Sequence, residues 1–170
     1  MYKMIYKELL PSILAIAALC LVIRLTWKRP WGSLVYKCVC LIYLAGLIYF
    51  TMFFGARNGI ASADFSFPMP IYKALVNGKY TKAAHESVLN VLLFIPFGFL
   101  LPYDLCLKRK KNILLKTVML SFAASLLIEI LQITLQRGVF EIDDLAKNTL
   151  GAALGCLIWV LLKDTVYDSK

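Results

Sequence analysis

Five long apolar runs, separated by short polar or basic stretches, pattern the chain from end to end. They cover about Leu9–Thr26, Leu34–Phe54, Ser87–Tyr103, Asn112–Leu135 and Leu145–Leu162. Each is close to the roughly 20 residues that an α-helix needs to cross a bilayer. Inside a bilayer only helices and closed barrels satisfy their own backbone polar groups. The pattern therefore predicts an all-α integral membrane fold, a compact bundle of about five transmembrane helices, with residues 1–170 forming a single domain. Lys3 and Lys7 precede the first run as in a signal peptide, but the run is too long for a signal core. No small-residue cleavage site follows it, so an uncleaved first span is expected.

Local features refine these spans. Arg24 can snorkel from the end of the first, with Trp27 and Trp31 at the interface. Tyr49, Phe50, Phe53 and Phe54 form an aromatic belt at the far end of the second. Pro96 and Gly98 predict a kink in the third, which neighbouring helices must cover. Residues 55–86 form a long loop, in which Phe65 to Tyr72 are expected on the membrane surface and Ile71–Val76 as a short interfacial helix. A tight second link, Gln136 to Asp144, carries Arg137, Gly138 and three acids.

Composition agrees with the pattern. Hydrophobic residues make up 61% of the chain and the mean hydropathy is +0.74, where soluble domains are about half apolar. The net charge of +9 sits at the ends of apolar runs, as in cytoplasmic membrane flanks. Groove-reading modules and Cys/His finger spacings are absent, so no nucleic-acid partner is expected. In a five-span arrangement eleven Lys and Arg fall on one side and eight on the other, with the dense run Lys108–Lys111 on the richer side. That bias predicts an outside N-terminus and a cytoplasmic C-terminus. Cys20, Cys38, Cys40, Cys106 and Cys156 show neither a disulfide framework nor metal spacing and are expected to be packing residues. Neither a metal nor a cofactor is expected.

The candidate chemistry lies in the last three spans. Ser125, Glu129, Gln132 and Gln136 share one helix face, and Asp144, Asn148, Gly151 and Gly155 share another. Ser87, Asn90 and Phe94 line a stripe on the third span. Gly151 and Gly155 form a small-xxx-small motif, suited to close packing within one chain or between chains. Glu129 falls about 9 Å below the end of its span at 1.5 Å per residue. An ionisable group at such depth is costly and usually has a partner and a role.

Two readings follow. In one, the polar groups only tie helices together, each bond being worth about 0.6 to 2 kcal/mol. Asp144 then complements its helix N-terminus, and Arg137 pairs with Asp143 or Glu141. In the other, Asn90, Glu129, Gln132, Asp143, Asp144 and Asn148 line an outward-facing water-filled pocket with Arg137 at its rim. Such a pocket would bind a polar head group, a cation or a proton, and Glu129 is its expected titrating member. Glu129 and Asp144 could also share acid and base work in an intramembrane enzyme acting on a lipid head group. A proton- or cation-coupled carrier is a further possibility, disfavoured by the lack of an internal repeat. His85, beside Glu86, is expected to be a solvated interfacial histidine. With no second histidine or external cysteine it does not support a zinc site, and Ser87 and Ser125 lack a base that would activate them.

The same residues resemble a known family. Asn90, Phe94, Pro96 and Gly98 form the N-x-x-x-F-x-P-x-G pattern of VanZ-like membrane proteins, and Glu129 with Gln132 resembles their E-x-x-Q. Glu141, Asp144, Asn148, Thr149 and Gly151 are similar to their D-I-x-D-x-x-x-N-T-x-G, with Arg137 fitting the arginine that often precedes it. Glu141 replaces the usual aspartate, and of the family's N-L-x-P-F loop element only Pro68 is kept. The resemblance implies a multi-pass protein of the bacterial plasma membrane, linked to low-level resistance to lipoglycopeptide antibiotics of the teicoplanin type. The partners it suggests are an envelope lipid, a wall precursor or the lipoglycopeptide itself. It implies no particular reaction.

Overall fold

The apolar runs wind into helices because a helix satisfies all its own backbone hydrogen bonds. A computed structural model describes residues 2–26, 30–54, 63–64, 82–107, 112–137 and 140–167. Among the described residues the order is α1 (Tyr2–Thr26), α2 (Gly32–Tyr49) running into a π-helical turn (Phe50–Phe54), β1 (Ala63–Asp64), α3 (Lys82–Leu107), α4 (Ile113–Thr134), β2 (Phe140–Glu141) and α5 (Ile142–Tyr167). The segments Gly32–Met52, Ala84–Pro102, Ile113–Thr134 and Ile142–Leu162 are long and apolar enough to cross a membrane, and Ile13–Ile23 is a shorter apolar helix. Leu41, Ile42 and Leu161 are each more than two-thirds exposed. Such outward apolar surface suits lipid rather than water, and the fold is an all-α membrane bundle. The expected interfacial helix at Ile71–Val76 and the basic run Lys108–Lys111 lie outside the described residues.

At the centre α3 and α5 run side by side in the same direction, close enough for backbone to meet backbone. A Cβ on Gly151 would fall on the Val91 carbonyl, one on Gly155 on the Ile95 carbonyl, and one on Gly98 on the Ala152 carbonyl. The small-residue face is thus used inside one chain. α4 runs back alongside both and turns Thr117, Ser121, Ser125 and Glu129, all at most 2% exposed, into the interior. Apolar packing closes the bundle in two groups. One is Ile23, Tyr36, Phe99, Leu100 and Trp159, and the other is Leu47, Met52, Phe94 and Ile128.

Pro96 lies within α3 and cannot donate to the preceding turn. The Tyr43 hydroxyl braces the backbone beside the proline, donating to the Leu93 carbonyl at 2.9 Å and accepting from the Phe97 N–H. The Tyr36 hydroxyl donates to the Leu100 carbonyl at 3.0 Å further along. Both tyrosines come from α2, so that helix is fastened to α3 by its backbone.

The polar end of the bundle is built by two helix termini. α4 stops with Gln136 in the left-handed region at φ 53. Its N–H reaches the Ile133 carbonyl at 3.1 Å, and the Arg137 N–H reaches the Gln132 carbonyl at 2.8 Å. This is the Schellman arrangement, which satisfies last-turn carbonyls. It turns Gln136 out to an exposed position, off the stripe that the sequence assigns it. α5 begins at Ile142, which puts Asp143 and Asp144 in the first turn, where acids complement the unpaired N–H groups. Between the two helices β2 pairs with β1 in parallel, with Ala63 opposite Phe140 and Asp64 opposite Glu141. Part of the long loop is thereby pinned onto the α4–α5 link.

One expectation is overturned at this end. His85 is buried at 6% exposure, beside Ser87 at 1%, rather than solvated at an interface. The physical reason is that α3 begins at Lys82, so His85 already lies inside a packed helical turn.

Candidate functional site

The deep carboxylate has a defined partner. Glu129 is 2% exposed, and its Oε2 accepts the backbone N–H of Glu141 at 3.0 Å. Glu141 immediately precedes α5, so a side chain of α4 holds the backbone at the entry of α5. Asp144, Glu141 and Lys147 are the charged groups that Glu129 senses.

Lys147 balances the acids of the first turn. Its Nζ lies 2.5 Å from Asp143 Oδ2 and 2.9 Å from Asp144 Oδ1, four and three residues away on the same helix. Such spacings bring side chains together on a helix surface. Here the lysine is 7% exposed and Asp143 6%, so the pairing lies largely out of water. One lysine faces Asp143 and Asp144, with Glu129 and Glu141 nearby, and the cluster is richer in acid than in base.

Asn148 sits one helical turn below Asp144. Its Nδ2 donates to Ser125 Oγ at 2.8 Å, and the Ser121 hydroxyl donates to the Asn148 carbonyl at 3.4 Å. Two oxygens of this cluster, Asn148 Oδ1 and Asp143 Oδ1, are buried with no hydrogen-bond partner among the described residues. Buried acceptors are normally paired, so each of these oxygens leaves hydrogen-bonding capacity unused.

The other sequence-predicted residues are placed differently. Gln132 turns toward α2, where its Nε2 donates to the Thr51 carbonyl at 3.0 Å. Arg137 NH1 donates to the neighbouring Met52 carbonyl at 3.5 Å. Both therefore serve the π-helical turn as well as bordering the cluster. Asn90 is half-buried on α3 and has no hydrogen bond to the α4–α5 group among the described residues. The geometry thus unites Glu129, Asp143, Asp144 and Asn148, while Gln132, Arg137 and Asn90 stand around them. Sequence reasoning missed Lys147, counting it only as a flanking charge, although its spacing from Asp143 and Asp144 was a usable signal. It also missed Ser121 and the Glu141 amide. Among the described residues no group of three or more His, Cys, Asp or Glu side chains is placed to hold a metal ion.

Chemically, the cluster is a set of buried acceptors with an excess of carboxylate, suited to groups that bring N–H or O–H donors or positive charge. Neither a curated protein nor a solved structure matches the chain significantly. A family model described as VanZ/LLP1 matches residues 40–163, which takes in all of the cluster and the α3–α5 contact. That match spans well over half of the sequence, and the chain belongs to the VanZ/LLP1 family, as a multi-pass membrane protein of a group linked to glycopeptide resistance.

Proposed function

We propose that this protein resides in the bacterial plasma membrane with its N-terminus outside and its C-terminus in the cytoplasm. It lowers susceptibility to lipoglycopeptide antibiotics by binding an envelope lipid, a wall precursor or the antibiotic in an outward-facing polar pocket. Glu129, Asp143, Asp144 and Asn148 form the floor of that pocket, with Asn90 and Gln132 on the adjoining helices and Arg137 at the rim. The observation that carries the reading is the pair of buried oxygens, Asp143 Oδ1 and Asn148 Oδ1, that have no partner among the described residues, within an acid-rich cluster. Leaving such a group unsatisfied costs about 1–3 kcal/mol, a cost that a donor-bearing ligand removes.

A second reading, in which the polar residues only hold the helices together, is favoured by the Asn148–Ser125 and Gln132–Thr51 bonds. Titration of the purified protein with a teicoplanin-type antibiotic and with a lipid-linked wall precursor separates the two. The pocket reading expects saturable binding of one of them, weakened at least tenfold in Asp144→Asn while thermal stability is kept. If neither binds, or if binding falls only in step with stability, the residues are structural.

A further inference from the structure

Below the polar cluster the same side of the bundle changes character. A cleft of about 480 Å³ opens between α1, α3 and α5, with Ala17, Leu21, Leu92, Ile95, Ile158 and Leu162 among its walls. Leu21 is 54% exposed, so the cleft communicates with the surroundings of the bundle. At bilayer depth those surroundings are hydrocarbon.

The cleft and the ion cluster lie along one line. Ile158 comes eleven residues after Lys147. At 3.6 residues per turn this returns it to nearly the same face of α5, about 16 Å deeper. Val91 meets Gly151 and Ile95 meets Gly155, so the upper wall of the cleft at Leu92 begins about 7 Å below Lys147 at 1.5 Å per residue. The apolar slot therefore runs through roughly one leaflet of a bilayer whose hydrocarbon is about 30 Å thick. Above it stands Asp143, 6% exposed, whose Oδ1 has no hydrogen-bond partner among the described residues, and Asp143 and Asp144 share the single cation Lys147.

We infer that this side of the bundle holds one lipid, with an acyl chain in the α1–α3–α5 cleft and an amine-bearing head group at Asp143. The inference rests on reading the cluster as a ligand site and narrows its ligand to an envelope lipid. An apolar slot that begins about 7 Å below a polar cluster, at 1.5 Å per residue along the helix, matches an amphiphile and leaves a water-soluble ligand without a use for the slot. A primary ammonium brings both the positive charge that the acids call for and N–H donors for the free oxygen. A choline head has the charge without donors, and a glycerol head has donors without the charge.

The test uses full-length protein equilibrated with equal amounts of phosphatidylethanolamine, phosphatidylglycerol and phosphatidylcholine of identical tails. Retained lipid is then read by native mass spectrometry. The expected result is phosphatidylethanolamine retained at least fivefold over each of the others. Ala17→Phe, which fills the slot, should lower total retention at least fivefold, with Ala17→Leu as a milder change should Ala17→Phe fold poorly. Asp143→Asn should keep retention but reduce the preference to less than twofold. Equal retention of the three lipids, or unchanged retention in both Ala17 variants, overturns the inference. Antibiotic susceptibility of Glu129 variants is read separately, so the lipid site and the resistance role can fail independently.

Discussion

Replacing Lys147 by Met tests whether the ion cluster is as buried and as interdependent as its geometry indicates. Met keeps most of the length of the lysine stem and removes the charge. Asp143 and Asp144 would then face each other near Glu129 without their cation. Removing one partner of a buried pair costs about 3–5 kcal/mol, because the remaining charge stays desolvated. Here the Lys147 and Asp143 side chains are each 9% exposed and that of Asp144 21%. Part of the Asp144 contribution is therefore recovered by hydration, which places the expected loss near the lower limit, at about 3 kcal/mol. The assay is reversible unfolding by SDS titration in mixed micelles. A double-mutant cycle with Asp143→Asn should reveal coupling of about 1–3 kcal/mol between the two sites. A loss below about 1 kcal/mol for Lys147→Met, as for an exposed ion pair, would refute the reasoning, as would strict additivity in the cycle.

Three further outcomes follow from the packing. Gly98→Ala drives a methyl into the Ala152 carbonyl and should lower stability by about 3 kcal/mol, the upper part of the usual overpacking range, in the same titration. Tyr43→Phe removes the hydroxyl that covers the backbone beside Pro96 and should cost about 0.6–2 kcal/mol, with faster hydrogen exchange at the Phe97 amide. Gln136→Gly relieves a left-handed residue and should raise stability by about 1 kcal/mol, seen as a later unfolding midpoint.

The sequence made the helices legible because uninterrupted apolar runs have few structural alternatives in a bilayer. Gly151 and Gly155 were legible as a close-approach surface, and the structure identifies α3 as its partner, through Gly98 and the Val91 and Ile95 carbonyls. The stripe on α4 was readable by spacing as far as Gln132 but failed at Gln136. There the chain leaves the helix through a left-handed residue without the glycine that would announce it. Gln132 itself points to the Thr51 carbonyl, a destination set by a π-helical turn of α2 that no local pattern encodes. The β1–β2 pairing joins two residues to two others across a distant stretch of chain, too short to leave a period. His85 was misplaced because the start of α3 was read one turn late. Lys147 was overlooked because a basic residue near a span end reads first as a topological charge, although its spacing from Asp143 and Asp144 marks it as their counter-ion.

The most direct test of the central claim, that the Glu129 cluster binds rather than merely fastens, is antibiotic susceptibility measured on Glu129→Gln at matched expression. Gln retains an acceptor for the Glu141 N–H, so the helices stay joined while the carboxylate is lost. The account predicts a stably folded protein whose teicoplanin resistance falls to the level of cells lacking it. Full resistance in that variant would contradict it.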